Sequence, residues 1–277
     1  MDVLNCRGRL LDLSSPVIMG VLNSTSDSFY SGSRVSNLQE AASRAEQMIQ
    51  DGATIIDIGG MSTRPGAAEL TVKQEITNVV PLIHEIRLRD EEVFISVDTY
   101  RSEVARQAIE AGADIINDIS GGTIDPELPA LAAAFKAPYI LMHMRGTPAT
   151  MQTLTDYADI VTEIIDYFFK KIDAFNSMGL YDIIIDPGFG FAKSIDQNYQ
   201  LLNQLEVFSI LRHPLLAGLS RKSMFWKRLG ESPESVLPAT IAANMIALSK
   251  GAKILRVHDV APARQIIAMY AQLEKNQ

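Results

Sequence analysis

The chain holds one cysteine, one tryptophan and four histidines among 277 residues. A lone Cys6 cannot close an internal disulfide, and so few soft ligands exclude a zinc cluster. No uninterrupted apolar run approaches the roughly 20 residues that a membrane helix needs. The first residues also lack the basic and apolar regions of a secretory leader. A reducing cytoplasm, away from membranes, is the expected setting. Repeats, linkers and low-complexity tracts are absent as well, so residues 1–277 read as a single domain. A formal net charge of −8 argues against a nucleic-acid surface.

What the chain does have is a series of short apolar runs, each ending in a polar residue or glycine. Asp186 follows Ile183, Ile184 and Ile185 and leads into Pro187, Gly188, Phe189, Gly190 and Phe191. Three isoleucines in a row read as a strand buried on both faces, and a carboxylate at its end faces a ligand. Equivalent ends fall at Asn23, Gly59, Asp98, Asn117, His143, Ser220 and His258, separated by 19 to 43 residues. Each gap holds a helix with its loops, so the expected fold is a single-domain α/β (β/α)₈ TIM barrel with its site at the carboxyl ends of the strands. An open doubly wound sheet is the alternative. Residues 1–15 are expected to form a hairpin closing the barrel bottom, with the barrel over 16–277. Helical spacing is clear over 37–50 before Gly52, 102–111 before Gly112, and 238–249. The last is apolar nearly all round, which predicts burial against the barrel or a second subunit, and so a homodimer. Arg64, Arg145, Arg221, Lys222 and Arg256 lie at or beyond strand ends. An acidic chain with a basic mouth implies an anionic ligand.

From Pro16 to Val260 the chain resembles the dihydropteroate synthases. The resemblance rests on Met19 to Asn23 with Asp27, Ser28 and Phe29; Ile56 to Gly60 with Ser62 to Gly66; and Ser96 to Thr99. It continues through Ile116 to Asp118, Met142 to Pro148, Asp186 to Phe191, Ser220 to Ser223 and Arg256 to Asp259. It implies a transferase of folate biosynthesis that joins p-aminobenzoate to 6-hydroxymethyl-7,8-dihydropterin diphosphate with Mg²⁺ as cofactor, and that sulfonamides inhibit. Asp186 would accept two parallel hydrogen bonds from the pterin 2-amino and N3–H edge. Asp98, Asn117 and Lys222 would meet the rest of the ring, with Met142 and Phe191 on its faces. Thr63, Arg64, Arg256 and His258 would hold the diphosphate, and Asn23 the metal. Phe29, Thr63, Pro65, Phe191, Lys222 and Ser223 would receive p-aminobenzoate. Asp98, Asp186, Lys222 and Arg256 would carry the chemistry, a dissociative substitution that needs no nucleophilic side chain. Without the resemblance, Asp98 reads as a cap for the next helix, Asn117 and Asn23 as turn residues, and Met142 as core.

Departures from the family pattern gather in two loops expected to close over the mouth. Ser24, Ser26, Tyr30, Ser31 and Ser33 replace Val, Pro, Ser, Asp and Gly in the first, and Met61 replaces Glu in the second. They bear on capture of the second substrate rather than on the pterin. Competing readings are a non-catalytic pterin-binding paralogue and a corrinoid-linked methyltransferase domain. An aldolase barrel is disfavoured, because Lys222 beside Arg221 is expected to lack an apolar site that would lower its pKa.

Overall fold

The computed structural model describes residues 2–23, 34–61 and 70–276. Phe29, Thr63, Arg64 and Pro65, with the altered positions 24–33, lie outside them. Strands β1 (Val3–Cys6) and β2 (Arg9–Asp12) pair antiparallel as the expected hairpin, turning through Arg7 and Gly8 at positive φ. Eight parallel strands follow: β3 (Val17–Asn23), β4 (Ile55–Gly59), β5 (Phe94–Asp98), β6 (Ile115–Asp118), β7 (Tyr139–Met142), β8 (Ile183–Asp186), β9 (Leu216–Ala217) and β10 (Ile254–Val257). Their order, β8-β7-β6-β5-β4-β3-β10-β9, curls into a barrel whose ends meet through a single bridge between Ile185 and Leu215.

Helices alternate with the strands as α1 (Arg34–Gln50), α2 (Val72–Arg89), α3 (Ser102–Glu110), α4 (Glu127–Phe135), α5 (Ile160–Ser177), α6 (Ile195–Asn203), α7 (Ser223–Leu229), α8 (Leu237–Ser249) and α9 (Val260–Glu274). Their starts follow from capping chemistry. Thr71 with Gln74 and Ser194 with Gln197 form capping boxes on α2 and α6, and Asp159 accepts from Thr162 N–H on α5. α1 and α3 stop at Gly52 and Gly112, whose φ of +109° and +118° suit a residue without Cβ. α8 departs from the expectation of burial all round. Thr240, Ala243, Asn244, Ala247 and Leu248 are buried, while Ile241 and Ile246 are 36% and 42% exposed on the outer side.

The barrel interior is layered because side chains alternate along each strand. Met19, Ile55, Phe94, Ile115, Ile140, Ile184, Leu216 and Ile254, one from each strand, form an apolar floor with Leu4, Cys6, Leu11 and Leu13 of the hairpin segment. Two residues further along, the same faces carry Asp57, Ser96, Asn117, Met142, Asp186, Gly218 and Arg256. The period of two therefore lifts the chemistry one layer above a hydrocarbon plug, towards the carboxyl end.

Candidate active site

Asp98, Asn117, Met142, Asp186, Phe191, Lys222 and Arg256 line one open cleft, together with Ile119, Phe189 and Gly218. All six residues assigned to the pterin ring therefore converge, from strands β5 to β8 and the loops after β8 and β9. His258 follows β10 on the rim, Ser223 opens α7 next to Lys222, and Asn23 is exposed at the end of β3.

Arg256 sits deeper than a mouth cation would. Its Nε donates to Asp57 Oδ2 at 2.7 Å and its Nη2 to Asp98 Oδ2 at 2.8 Å. Asn117 Nδ2 donates to Asp57 Oδ2 at 3.1 Å. Burial works against the guanidinium charge, but Asp57 and Asp98 outweigh it and hold Arg256 above its ordinary value. Two carboxylates share one cation, so one negative charge is poorly balanced. Burial pushes Asp98 up to about 7 against the pull of Arg256, with Asp57, Glu75 and Asp118 adding to the rise. Asp57 was given no role from sequence. Its signal was the shared face of Ile55, Asp57 and Gly59 on β4, which turns a fully buried carboxylate inward.

Asp186 lies across the cleft. Its Oδ1 accepts from Gly188 N–H at 2.8 Å, and burial raises its pKa despite that bond and the charge of Lys222. Lys222 Nζ stands 4.6 Å from the centre of the Phe191 ring. Burial first, then Arg256, lowers its pKa to about 8, which corrects the expectation that Lys222 lacks a pKa-lowering site. The basic mouth also needs correction. Arg145 pairs with Glu163 and stacks on Tyr157, and Arg221 makes a bidentate pair with Asp259.

The histidines divide by burial. His84 is exposed on α2, while His213 is half-buried, with Nδ1 3.2 Å from Ile183 O. His143 is buried behind β7, its ring edge-on to Tyr167. His258 Nδ1 is 3.0 Å from Ser220 Oγ, which also accepts His258 N–H. Desolvation and neighbouring Arg256 lower the His258 pKa to about 4, although the residue keeps an exposed surface on the rim. Among the described residues no carboxylate completes this Ser–His pair, Asp259 being held by Arg221. Met61, where the family has Glu, lies 3.7 Å from the Tyr100 hydroxyl beside an apolar cluster of Tyr100, Ile119, Met142, Met144 and Met151. Among the described residues no group of three or more His, Cys, Asp or Glu could hold a metal, and no helix is long and apolar enough to cross a membrane.

Known proteins fit this geometry. A profile described as pterin binding enzyme matches residues 19–258. The dihydropteroate synthase of Synechocystis sp. is 48% identical over 252 residues, spanning 90% of this chain and 87% of that protein. A Yersinia pestis dihydropteroate synthase solved with a sulfonamide drug superposes with a TM-score of 0.92 at 40% identity, covering 99% of both chains. A Xanthomonas albilineans dihydropteroate synthase solved with 4-aminobenzoic acid gives 0.90 at 36% identity, covering 99% of this chain and 98% of that one. A barrel with two inward carboxylates, an amide and a lysine around one cleft, matched over residues 19–258 by that profile and over 90% of the chain by a relative at 48% identity, belongs to the pterin-binding enzyme family.

Proposed function

We propose that this chain is a dihydropteroate synthase of folate biosynthesis, a transferase that joins p-aminobenzoate to the methylene carbon of 6-hydroxymethyl-7,8-dihydropterin diphosphate. The observation that carries this reading is the convergence of Asp98, Asn117, Met142, Asp186, Phe191 and Lys222 on one cleft. Asp186 accepts from the pterin 2-amino and N3–H edge, Asn117 and Asp98 meet the far side of the ring, and Lys222 donates to its O4/N5 side. Met142 and Phe191 pack on its faces. The bond from the methylene carbon to the diphosphate oxygen breaks, the bond to the aromatic amine forms, and the amine proton passes to solvent. The pterin shares the positive charge of the transition state, and the buried carboxylates Asp98 and Asp186 stabilise it in a low dielectric. No side-chain nucleophile takes part.

Arg256, Arg64, Thr63 and His258 receive the leaving diphosphate. The Ser220 hydroxyl is the partner of His258 Nδ1, which leaves Nε2–H free to donate. Asn23 offers one neutral oxygen at the rim beside Gly59 and Asp98, a donor set suited to Mg²⁺, which keeps several waters and takes other ligands from phosphate. Bound there, the ion would neutralise leaving-group charge. The p-aminobenzoate rests near Phe29, Thr63, Pro65, Phe191, Lys222 and Ser223, the place that sulfonamides would contest. The exposed Ile241 and Ile246 of α8 support a homodimer, and a free, buried Cys6 supports a cytoplasmic setting.

Purified protein given pterin diphosphate, labelled p-aminobenzoate and Mg²⁺ is expected to release labelled dihydropteroate. Tight pterin binding without product would establish the non-catalytic paralogue instead.

A further inference from the structure

Lys193 is a buried cation that feels the charge of Asp186 but makes no ion-pair contact among the described residues. Its residue is 8% exposed, and no carboxylate among the described residues lies within ion-pair distance of its Nζ. The ammonium instead faces four neutral acceptors. These are Gly188 O at 2.9 Å, Phe191 O at 2.9 Å, His143 O at 3.3 Å and His143 Nδ1 at 3.1 Å. Burying a charge in this way is unfavourable, and burial lowers its pKa to about 7 against the pull of Asp186. An apolar side chain of similar length would avoid that burden, so the ammonium must do something that packing alone cannot.

Its acceptors say what. Gly188 O and Phe191 O are the two ends of the turn that follows Asp186, and Phe191 N–H already donates to Gly188 O at 3.1 Å. His143 belongs to the end of the neighbouring strand, where its N–H donates to Asp186 O at 3.0 Å. The turn is conformationally costly, with Gly188, Gly190 and Ala192 at φ of +74°, +81° and +50°. Three carbonyls and an imidazole, from the residue after β7 and the turn after β8, therefore surround one nitrogen. The residues fixed by that turn are Asp186, whose Oδ1 accepts from Gly188 N–H, and Phe191, both lining the cleft.

We propose that Lys193 is a positioning residue for pterin recognition, its ammonium clamping the turn after β8 to the end of β7 so that Asp186 and Phe191 are held in place before the ring arrives. This rests on the assignment of the cleft to a pterin. Preorganisation of this kind lowers the ordering cost of binding.

Lys193→Met removes every donor while keeping the chain length. The affinity for 6-hydroxymethylpterin, read by calorimetry, is expected to fall by about ten-fold or more. In turnover, KM for the pterin diphosphate is expected to rise while kcat stays within about two-fold. Lys193→Gln keeps two donors and is expected to fall between wild type and the methionine variant. Phe208→Leu, in the outer core, serves as a control for lost stability and is expected to bind pterin as wild type does. Unchanged pterin affinity in Lys193→Met, an equal loss in the Phe208→Leu control, or failure of both lysine variants to fold would each overturn the proposal. Failure of the wild-type protein to bind hydroxymethylpterin would instead overturn the pterin assignment.

Discussion

Asp186 uses one lone pair of its carboxylate on the protein and keeps the rest for the cleft. Oδ1 accepts from Gly188 N–H, and Oδ2 faces the side left open by Gly218, where a Cβ would stand 3.9 Å away. Asp186→Asn can keep the inner bond through its carbonyl, which turns an amide donor towards a donor edge. Pterin binding is expected to weaken by about 2 to 4 kcal/mol with folding retained, and unchanged affinity by calorimetry would remove Asp186 from its central place. Asp98 supplies a pH signature. With its carboxyl raised to about 7, the anion that accepts from the ring forms only as pH rises. Pterin affinity should climb between about pH 6 and 8, and Asp98→Asn should flatten the climb. By linkage, the same raised value favours the fold below the ordinary carboxyl range, a contribution lost as pH rises through about 7. Arg256→Ala acts on two levels, because it removes a diphosphate partner and leaves Asp57 and Asp98 buried without a cation. Pterin diphosphate should suffer more than free hydroxymethylpterin, alongside a loss of roughly 3 kcal/mol in unfolding free energy. An equal loss for both ligands would assign Arg256 to the ring or the fold.

The turn after β8 is the element on which the cleft depends. A methyl group at Gly188 would meet the backbone oxygen of His143 at 2.1 Å, in a conformation with φ of +74°. Neither partner can yield without moving β7 or the turn, so Gly188→Ala should reduce pterin affinity by about 2 kcal/mol or more. Gly179, at φ +84° with no atom within 4 Å of a built Cβ, offers the contrast. Gly179→Ala should lower stability slightly and leave pterin binding alone. Elements like this one were legible where burial is local. Ile183 to Ile185 can only be an inner strand, and Gly52 and Gly112 mark helix ends within their own turns. Asp57 and Lys193 were not, because their roles come from distant partners: Arg256 lies 199 residues from Asp57, and His143 lies 50 from Lys193. Arg145 and Arg221 misled for the same reason. A cation next to a strand end reads as available until its acidic partner is seen, on the following helix for Arg145 and beyond the next strand for Arg221.

At the scale of the whole molecule, the two ends of the barrel have separate duties. Leu4 and Leu11 cap an apolar floor, while the polar layer opens at the opposite end. Leu4→Ala should lower unfolding free energy by about 2 to 5 kcal/mol in urea titrations and leave hydroxymethylpterin affinity as it was. A matching loss of affinity would mean that floor and site are coupled. The barrel wall itself is not uniform. Between β8 and β9 the strands share one bridge, Ile185 to Leu215, where the other neighbouring pairs share ladders. Mechanically, such a wall is a split ring rather than a hoop, and a load that spreads it is taken up at the split. Asp186 stands on one lip of that split, tied by a ladder to β7 on one side and facing Gly218 across the gap on the other, so the clamp between the β7 end and the turn after β8 reinforces the side that the ladder already holds and leaves the split to take up the load.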